Sequence, residues 1–356
     1  MSERDTSPEA PLTNKANAAE AAGAAAAASP KPARRFPIHG VRIAVRTLVL
    51  VLFAVDCARL VILYLWAQGA VSINFGRPQL TAGLSPLSGL FDLWAWIRTG
   101  RMDPVLPASL TIVVLGLVMS LVFKRSFCSW MCPVGTVFDA LGVVGKRIFP
   151  GIKLSPRAQK ILHAPKTVLG IAVLGIVMIA VPSSLIVSMW SAPYWAVSDM
   201  AVLKLFIKPG VPIIVVGICV LGASLLLGRN YWCAGLCPLG GIYGLVSKPS
   251  PTVVVRNPEA CISCGACSKA CAYRIDVATS KKPIRTVDCT GCLDCIAACP
   301  KDDALELRAF GRRIPLAAAP LIVVIVWIGI WMCSLALGAW YGSPSAFLIQ
   351  MGLLSI

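Results

Sequence analysis

The stretch Cys261-Ile262-Ser263-Cys264-Gly265-Ala266-Cys267-Ser268-Lys269-Ala270-Cys271 is answered 17 residues later by Cys289-Thr290-Gly291-Cys292-Leu293-Asp294-Cys295-Ile296-Ala297-Ala298-Cys299. Both runs read C-x2-C-x2-C-x3-C. This is the bacterial spacing for cubane iron–sulfur clusters, in which the fourth cysteine of one run ligates the cluster of the other. Thiolate is a soft ligand suited to iron, and two-residue gaps let a short loop wrap three corners of one cube. The expected ligand sets are therefore crosswise. Cys261, Cys264, Cys267 and Cys299 hold one [4Fe-4S] cluster, and Cys289, Cys292, Cys295 and Cys271 hold the second. A zinc ribbon would show paired C-x2-C knuckles without the third cysteine. The same spacing disfavours a disulfide framework, and cluster assembly implies a reducing compartment. Pro300 follows the last cysteine of the second run but Ala272 that of the first, so the fold at Cys271 is expected to depart from a standard ferredoxin.

Outward from these runs the chain is apolar. Of 356 residues, 57% are hydrophobic and only 14% charged, with a mean hydropathy of +0.77. A soluble domain is about 25% charged. The composition is that of an integral membrane protein, with lipid as its surroundings. The net charge of +17 sits largely in segments flanking apolar stretches, where membrane topology places it, so nucleic acid is excluded as a partner.

The expected fold class is mainly α: a polytopic bundle of about five membrane helices with an inserted α+β ferredoxin-like module. Residues 1–40 read as a disordered, Ala-rich cytoplasmic tail. Residues 41–250 read as a four-helix membrane domain, 251–310 as the double-cluster module, and 311–356 as a last helix and short tail. Arg34-Arg35-Phe36 faintly resembles a twin-arginine signal, but the apolar stretch after it is too long for one, and no cleavage is expected. The expected spans are Arg46–Trp66, Pro104–Phe123, Thr167–Trp190, Val211–Leu227 and Ile314–Trp340, at about 20 residues each. Residues 124–166 carry eight Lys or Arg against Asp139 alone, whereas 191–210 carry Lys204 and Lys208 against Asp199. Positive loops stay inside. The N-terminus and cluster module are thus expected in the cytoplasm and the C-terminus in the periplasm. Trp94 and Trp96 read as an aromatic belt at the outer interface.

The membrane part repeats itself. Phe127-Cys128-Ser129-Trp130-Met131-Cys132-Pro133-Val134-Gly135 follows the second span, and Trp232-Cys233-Ala234-Gly235-Leu236-Cys237-Pro238-Leu239-Gly240 follows the fourth. Such a repeat suggests a pseudo-twofold bundle that brings the two pairs together. Cysteines at i and i+4 would share one helical face. They could offer four soft ligands or two redox dithiols, with Arg125 and Arg229 lowering their pKa. The plainer alternative is that each C-x3-C-P shapes a turn. Asp56 lies mid-span with Arg59 one turn on. Charges at that depth usually serve function, here as a proton acceptor at a quinol site, unless the pair is an internal salt bridge that orients the helix. His39 and His163 sit at span ends, not where a haem would need them, and no C-x-x-C-H occurs. Cys57, Cys219 and Cys333 read as small core residues. There is no dinucleotide or P-loop fingerprint.

Two C-x3-C-P motifs at the inner ends of spans, followed by a double C-x2-C-x2-C-x3-C module, resemble the NapH/MauN/NosR-type membrane polyferredoxin family over about residues 40–310. The resemblance implies two [4Fe-4S] clusters and a redox role of open kind for Cys128, Cys132, Cys233 and Cys237. It implies a quinol dehydrogenase component in the bacterial inner membrane, moving electrons between the quinol pool and a respiratory or periplasmic redox partner. Short NapH-like relatives lack a span after the ferredoxin. The CcoG type, associated with cytochrome oxidase assembly, has one and adds an extracytoplasmic domain, for which the 16 residues after Trp340 leave no room. The NosR type places a flavin-bearing domain ahead of its membrane part, and 35 leading residues cannot hold one. The alternative is an accessory protein that reduces a metal or thiol during maturation of another redox enzyme.

Overall fold

The computed structural model describes residues 37–73, 75–83, 85–149, 156–227 and 229–342. The tail expected over 1–40 lies outside the described residues up to residue 36, and residues 343–356 also lie outside them. In chain order the helices of the membrane part are α1 (Ile38–Ala67), α2 (Gln79–Gly83), α3 (Pro86–Thr99), α4 (Pro107–Phe123), α5 (Ser126–Trp130), α6 (Pro133–Ile148), α7 (Pro156–Gly175), α8 (Ser183–Met189), α9 (Pro193–Ala196), α10 (Ser198–Ile207), α11 (Val211–Leu227) and α12 (Pro238–Val246). The cluster region holds β1 (Thr252–Arg256), α13 (Ala266–Ala270), α14 (Asp294–Ala297), β2 (Leu305–Ala309) and β3 (Arg312–Ile314), and α15 (Ala318–Ala336) follows.

Among the described residues three helical segments are long and apolar enough to cross a membrane: Ile38–Ala67, Ile161–Ala180 and Ala318–Ala336. The pair α10–α11 would add a fourth, but it bends by 81° at Lys208-Pro209-Gly210. Two of the five expected spans take a form other than a plain, unbroken helix of full length. The stretch Thr167–Trp190 is cut at Pro182, which lacks an amide donor and clashes with the preceding turn. Its helix begins earlier, at Pro156, and leaves through a π-helical turn at Ile176–Ala180. Helix α4 has 17 residues, about 26 Å, at the lower end of the length that crosses a membrane. It is the buried centre of the bundle, with Leu110, Val113, Leu115, Met119 and Phe123 enclosed. Helix α3, which the apolar pattern did not announce as a packed element, lies against α4. The Trp94 indole donates to the carbonyl of Val181 at 3.3 Å.

With 30 residues, α1 is about 45 Å long, so it overruns the membrane and carries Ile38 to the cluster region. The three strands form an antiparallel sheet in sequence order, with Thr252 opposite Ala309 and Leu307 opposite Ile314. One core runs without a break from Leu115, Met119 and Phe127 through Trp130 and Tyr243 to Val254, Leu293 and Leu307. The cluster region is therefore packed into the bundle rather than tethered to it.

Candidate iron–sulfur sites

Each ferredoxin run folds the same way. Residues at the second gap position and just after the second cysteine have positive φ: Ser263 and Gly265 in the first run, Gly291 and Leu293 in the second. Alternating handedness of this kind turns successive backbone N–H groups toward one concavity, suited to an anionic group. Leu293 bears a side chain at φ 63°, a strained choice of the sort found at functional sites. Gly291 faces a second demand, because a β-carbon there would lie 3.2 Å from the Phe123 ring.

The structure brings the cysteines together across the runs. One cavity is lined by Cys261, Cys264, Cys267 and Cys299, with Arg256 and Lys301 at its edge. A second is lined by Cys271, Cys289, Cys292 and Cys295, walled by Tyr273, Ile284 and Leu293. Their surroundings differ. Near solvent, backbone N–H groups at Ser263 and the Arg256 guanidinium, whose Nε donates to Cys261 Sγ at 3.2 Å, pull the Cys261 thiol down. In the deeper set burial dominates, followed by the charge of Cys292, and pushes Cys271 up to about 12. Among the described residues no three Cys, His, Asp or Glu side chains converge closely enough for a single metal ion. Two four-thiol cavities lined by backbone donors fit a thiolate-held cluster, a larger group than one ion. The departure at Ala272 also has a use: Ala272 and Tyr273 are buried against Cys233 and Ala234.

The C-x3-C-P pairs take a form the helical pattern did not foresee. Cys128 lies in α5, while Cys132 is the extended N-cap of α6 (φ −67°, ψ 117°), so the two do not share a helical face. Pro133 forces this, since the residue before a proline is driven out of the helical region. Cys237, before Pro238 at the start of α12, has nearly the same angles (φ −70°, ψ 115°). The glycine three residues on is needed twice over. Gly135 N–H donates to Cys132 Sγ at 3.5 Å, and a β-carbon on Gly135 would sit 2.5 Å from the Cys128 carbonyl oxygen. Gly240 stands in the same relation to Cys237 and to the Cys233 carbonyl, at 2.9 Å.

All four thiols sense one another's charge, so the repeat does place the two pairs together. The expected lowering of their pKa is overturned. Burial outweighs the nearby Arg125 and pushes Cys128 up to about 12, and outweighs the Gly135 N–H and Arg46 to push Cys132 up to about 11. Arg125 is wholly buried. Its Nη1 donates to the Gly240 carbonyl at 2.8 Å, and its guanidinium carbon lies 5.0 Å over the Tyr273 ring. The other repeat arginine, Arg229, turns away to Asp139 at 2.8 Å.

The turn that holds Cys128 and Cys132 grips the second ferredoxin run. Ser129 Oγ donates to the Thr290 carbonyl at 2.8 Å, and Trp130 Nε1 to the Gly291 carbonyl at 3.2 Å. From α1, Arg42 Nη1 donates to the Cys292 carbonyl at 3.3 Å, and its Nη2 pairs with Asp294 at 2.7 Å. These buried charges were missed from sequence. So was Asp139, which accepts from Arg46 at 2.5 Å, from Arg229, and from Asn230 at 3.1 Å. The available signal was that Asp139 is the lone acid in a loop with eight cations. The histidines also have duties: His39 contacts Asp294 at 3.3 Å, and His163 joins Lys166 on Asp288. Burial alone would raise the Asp288 pKa, but hydrogen bonds from His163 and the Lys166 charge bring it below the ordinary carboxylate range.

Asp56 stands apart from every cysteine set named for the site. Arg59 pairs with it at 3.1 Å, and its other oxygen accepts the Leu80 N–H at 3.0 Å. Leu80 in turn lines an apolar cavity between α1, α4 and α15, walled by Leu52, Leu115, Trp327 and Trp331. That cavity ends on Met131 and Pro133, at the C-x3-C-P turn.

Known proteins bear on these sites. The family described as a 4Fe-4S binding domain matches residues 105–151 and 209–257, one match on each repeat. The family described as a 4Fe-4S dicluster domain matches residues 253–300. YccM of Escherichia coli, which carries an electron-transport name, is 34% identical over 73% of this chain and 72% of its own length. The methylamine utilization ferredoxin-type protein MauN of Methylorubrum extorquens is 30% identical over 56% of this chain and 64% of its own. The ferredoxin-type protein NapH of Escherichia coli is 25% identical over 55% and 68%. No solved structure matches the chain. With cysteine spacing, internal repeat and these relatives in agreement, the chain belongs to the NapH/MauN-type polyferredoxin family of iron–sulfur electron-transfer proteins of the inner membrane.

Proposed function

We propose that the chain holds two [4Fe-4S] clusters on crosswise ligand sets in a ferredoxin-like module, and passes electrons between the quinol pool and a redox partner protein. The observation that carries this is the hydrogen-bonded seam of Ser129 and Trp130 on Thr290 and Gly291. It joins the membrane bundle to the deeper four-cysteine cavity, and the solvent-facing cavity lies beyond. Iron–sulfur clusters supply one-electron steps, which suits them to divide the electron pair of a quinol. The chain's own residues do the rest. Leu52, Leu115, Trp327 and Trp331 offer an apolar chamber that opens on the Cys128–Cys132 turn. Tyr273, Ile284 and Leu293 keep water from the deeper cavity. Cys264 is exposed, which suits exchange with a partner at that end. The excess of Lys and Arg in residues 124–166 supports a cytoplasmic module and N-terminus and a C-terminus outside.

Anaerobic addition of a reduced quinol to the purified protein tests the reading. Bleaching of the cluster absorbance at a rate that saturates with quinol is expected. Clusters that dithionite reduces but no quinol does would remove the quinol pool from the function.

A further inference from the structure

Lys124 and Arg125 stand side by side at the end of α4, and neither forms an ion pair among the described residues. Lys124 is 2% exposed, and its Nζ donates to the Ser247 carbonyl at 3.2 Å. An ammonium has three protons to place. The Lys124 backbone is held at φ 56° and ψ −168°, a region essentially reserved for glycine. Glycine would relax this junction, so a charged side chain stands here against a backbone penalty, as residues at functional sites do. Arg125 is wholly buried, and its Nε has no hydrogen-bond partner. Its Nη groups donate to backbone carbonyls, those of Gly240 at 2.8 Å, Cys233 at 3.4 Å and Asp288 at 3.5 Å. The Asp288 carboxylate is taken by Lys166 and His163, and burial keeps the Cys128 and Cys233 thiols protonated. Arg42, by contrast, has its own carboxylate in Asp294.

Both cations lie against the deeper ferredoxin cavity. The Arg125 guanidinium carbon is 5.0 Å over the ring of Tyr273, which walls that cavity. The Asp288 carbonyl that Arg125 touches belongs to the residue before Cys289. The Phe123 carbonyl, next to Lys124 in the chain, closes on the loop between Cys289 and Cys292, where a β-carbon at Gly291 would lie 3.0 Å from it. The Cys289 sulfur senses both charges. The solvent-facing cavity differs. Its Arg256 is half-buried and its Lys301 exposed, so water and salt screen them.

A cluster held by four thiolates carries net negative charge, and a one-electron reduction adds to it. In a pocket walled by Tyr273, Ile284 and Leu293 that added charge is penalised. Fixed positive charge in the same water-excluded region is poorly screened and offsets the penalty. Net charge near a cluster is among the quantities that set its potential. We propose that Lys124 and Arg125 form a charge pair that raises the reduction potential of the cluster on Cys271, Cys289, Cys292 and Cys295, bringing it within reach of a mild electron donor. Resting on the proposed function only for a cluster on those four cysteines, the role of the pair needs no quinol.

Mediated redox titration of the anaerobically purified full chain, read by EPR, tests the proposal. Cys292→Ser identifies the signal of the deeper cluster by removing it. Lys124→Gly deletes the charge and the backbone strain together, so it should accumulate with wild-type iron and sulfide. Its deeper cluster should titrate lower by about 59 mV or more, a tenfold fall in the ratio of reduced to oxidised cluster at fixed poise. The solvent-facing cluster should not move. Lys124→Arg keeps the charge and should keep most of the potential, and Arg125→Gln should shift the deeper cluster the same way as Lys124→Gly. Should Lys124→Gly fail to accumulate, Lys124→Gln decides by the same reading. A fully loaded variant whose deeper cluster keeps the wild-type potential would overturn the charge pair and leave the proposed function standing. An equal shift of both clusters would overturn it too. Wild-type protein without iron on the deeper set would overturn both.

Discussion

Ser129 Oγ lies 2.8 Å from the carbonyl oxygen of Thr290, tying the turn between Cys128 and Cys132 to the loop between Cys289 and Cys292. Trp130 completes the seam and has no exposed surface. Trp130→Phe deletes one hydrogen bond, a loss of about 1 kcal/mol, and leaves a small cavity where the larger indole was. It should leave cluster content intact and slow quinol-driven bleaching several-fold, while dithionite reduction stays complete. An unchanged quinol-driven rate would show that the seam is not on the electron path.

Cys271 sits beside Cys289, Cys292 and Cys295, not beside its own run. Cys271→Ser should therefore damage the cluster of the second run. EPR of the reduced variant should keep the signal of the set at Cys261, Cys264, Cys267 and Cys299. Loss of that signal alone would refute the crosswise sets.

Asp139 is the hub of a buried network with Arg46, Arg229 and Asn230. Asp139→Asn strands two guanidinium groups, and breaking a buried pair costs about 3–5 kcal/mol. The variant should melt well below the wild type at neutral pH. Burial would raise the Asp139 pKa, but Arg229 and then Arg46 outweigh it and hold the carboxyl below its ordinary value. A depressed pKa gives stability that is present above the unfolded-state value and lost as pH falls through the folded one. The gap between wild type and variant should accordingly narrow as pH drops below the ordinary carboxylate range. A gap independent of pH would mean that the Asp139 charge is not what stabilises.

Asp56 is tied to Arg59 and to the Leu80 amide. If it takes a proton in quinol oxidation, Asp56→Asn should slow quinol-driven bleaching at normal cluster content. If the pair only orients the 75–80 segment, the same change should lower the amount of protein in the membrane. Normal amount together with a normal rate would discard both roles.

Helix Ala318–Ala336 has the length and hydropathy of a span. A reporter active only in the cytoplasm should work when fused after residue 310 and fail after residue 356. Activity at both junctions would mean that this helix does not cross.

Sequence alone determined what depends on local chemistry. The spacing of the eight ferredoxin cysteines named the cofactor, because a cube needs ligands at short fixed intervals. The low charge content named the membrane, because hydrocarbon rejects charge, and the two C-x3-C-P turns named the repeat. Tertiary structure decided whatever depends on residues distant in the chain. Pro133 and Pro238 were legible, yet whether the thiols they turn would be exposed and acidic or buried and neutral depended on α12 and Tyr273 closing over them. That α4 lies at the centre of the bundle showed only once its neighbours enclosed it. Arg125 and Arg229 look alike in sequence, each standing just ahead of a C-x3-C-P turn. One became a buried cation over Tyr273 and the other a partner of Asp139, because the repeat is only approximately symmetric and the cluster region meets its two halves through different residues.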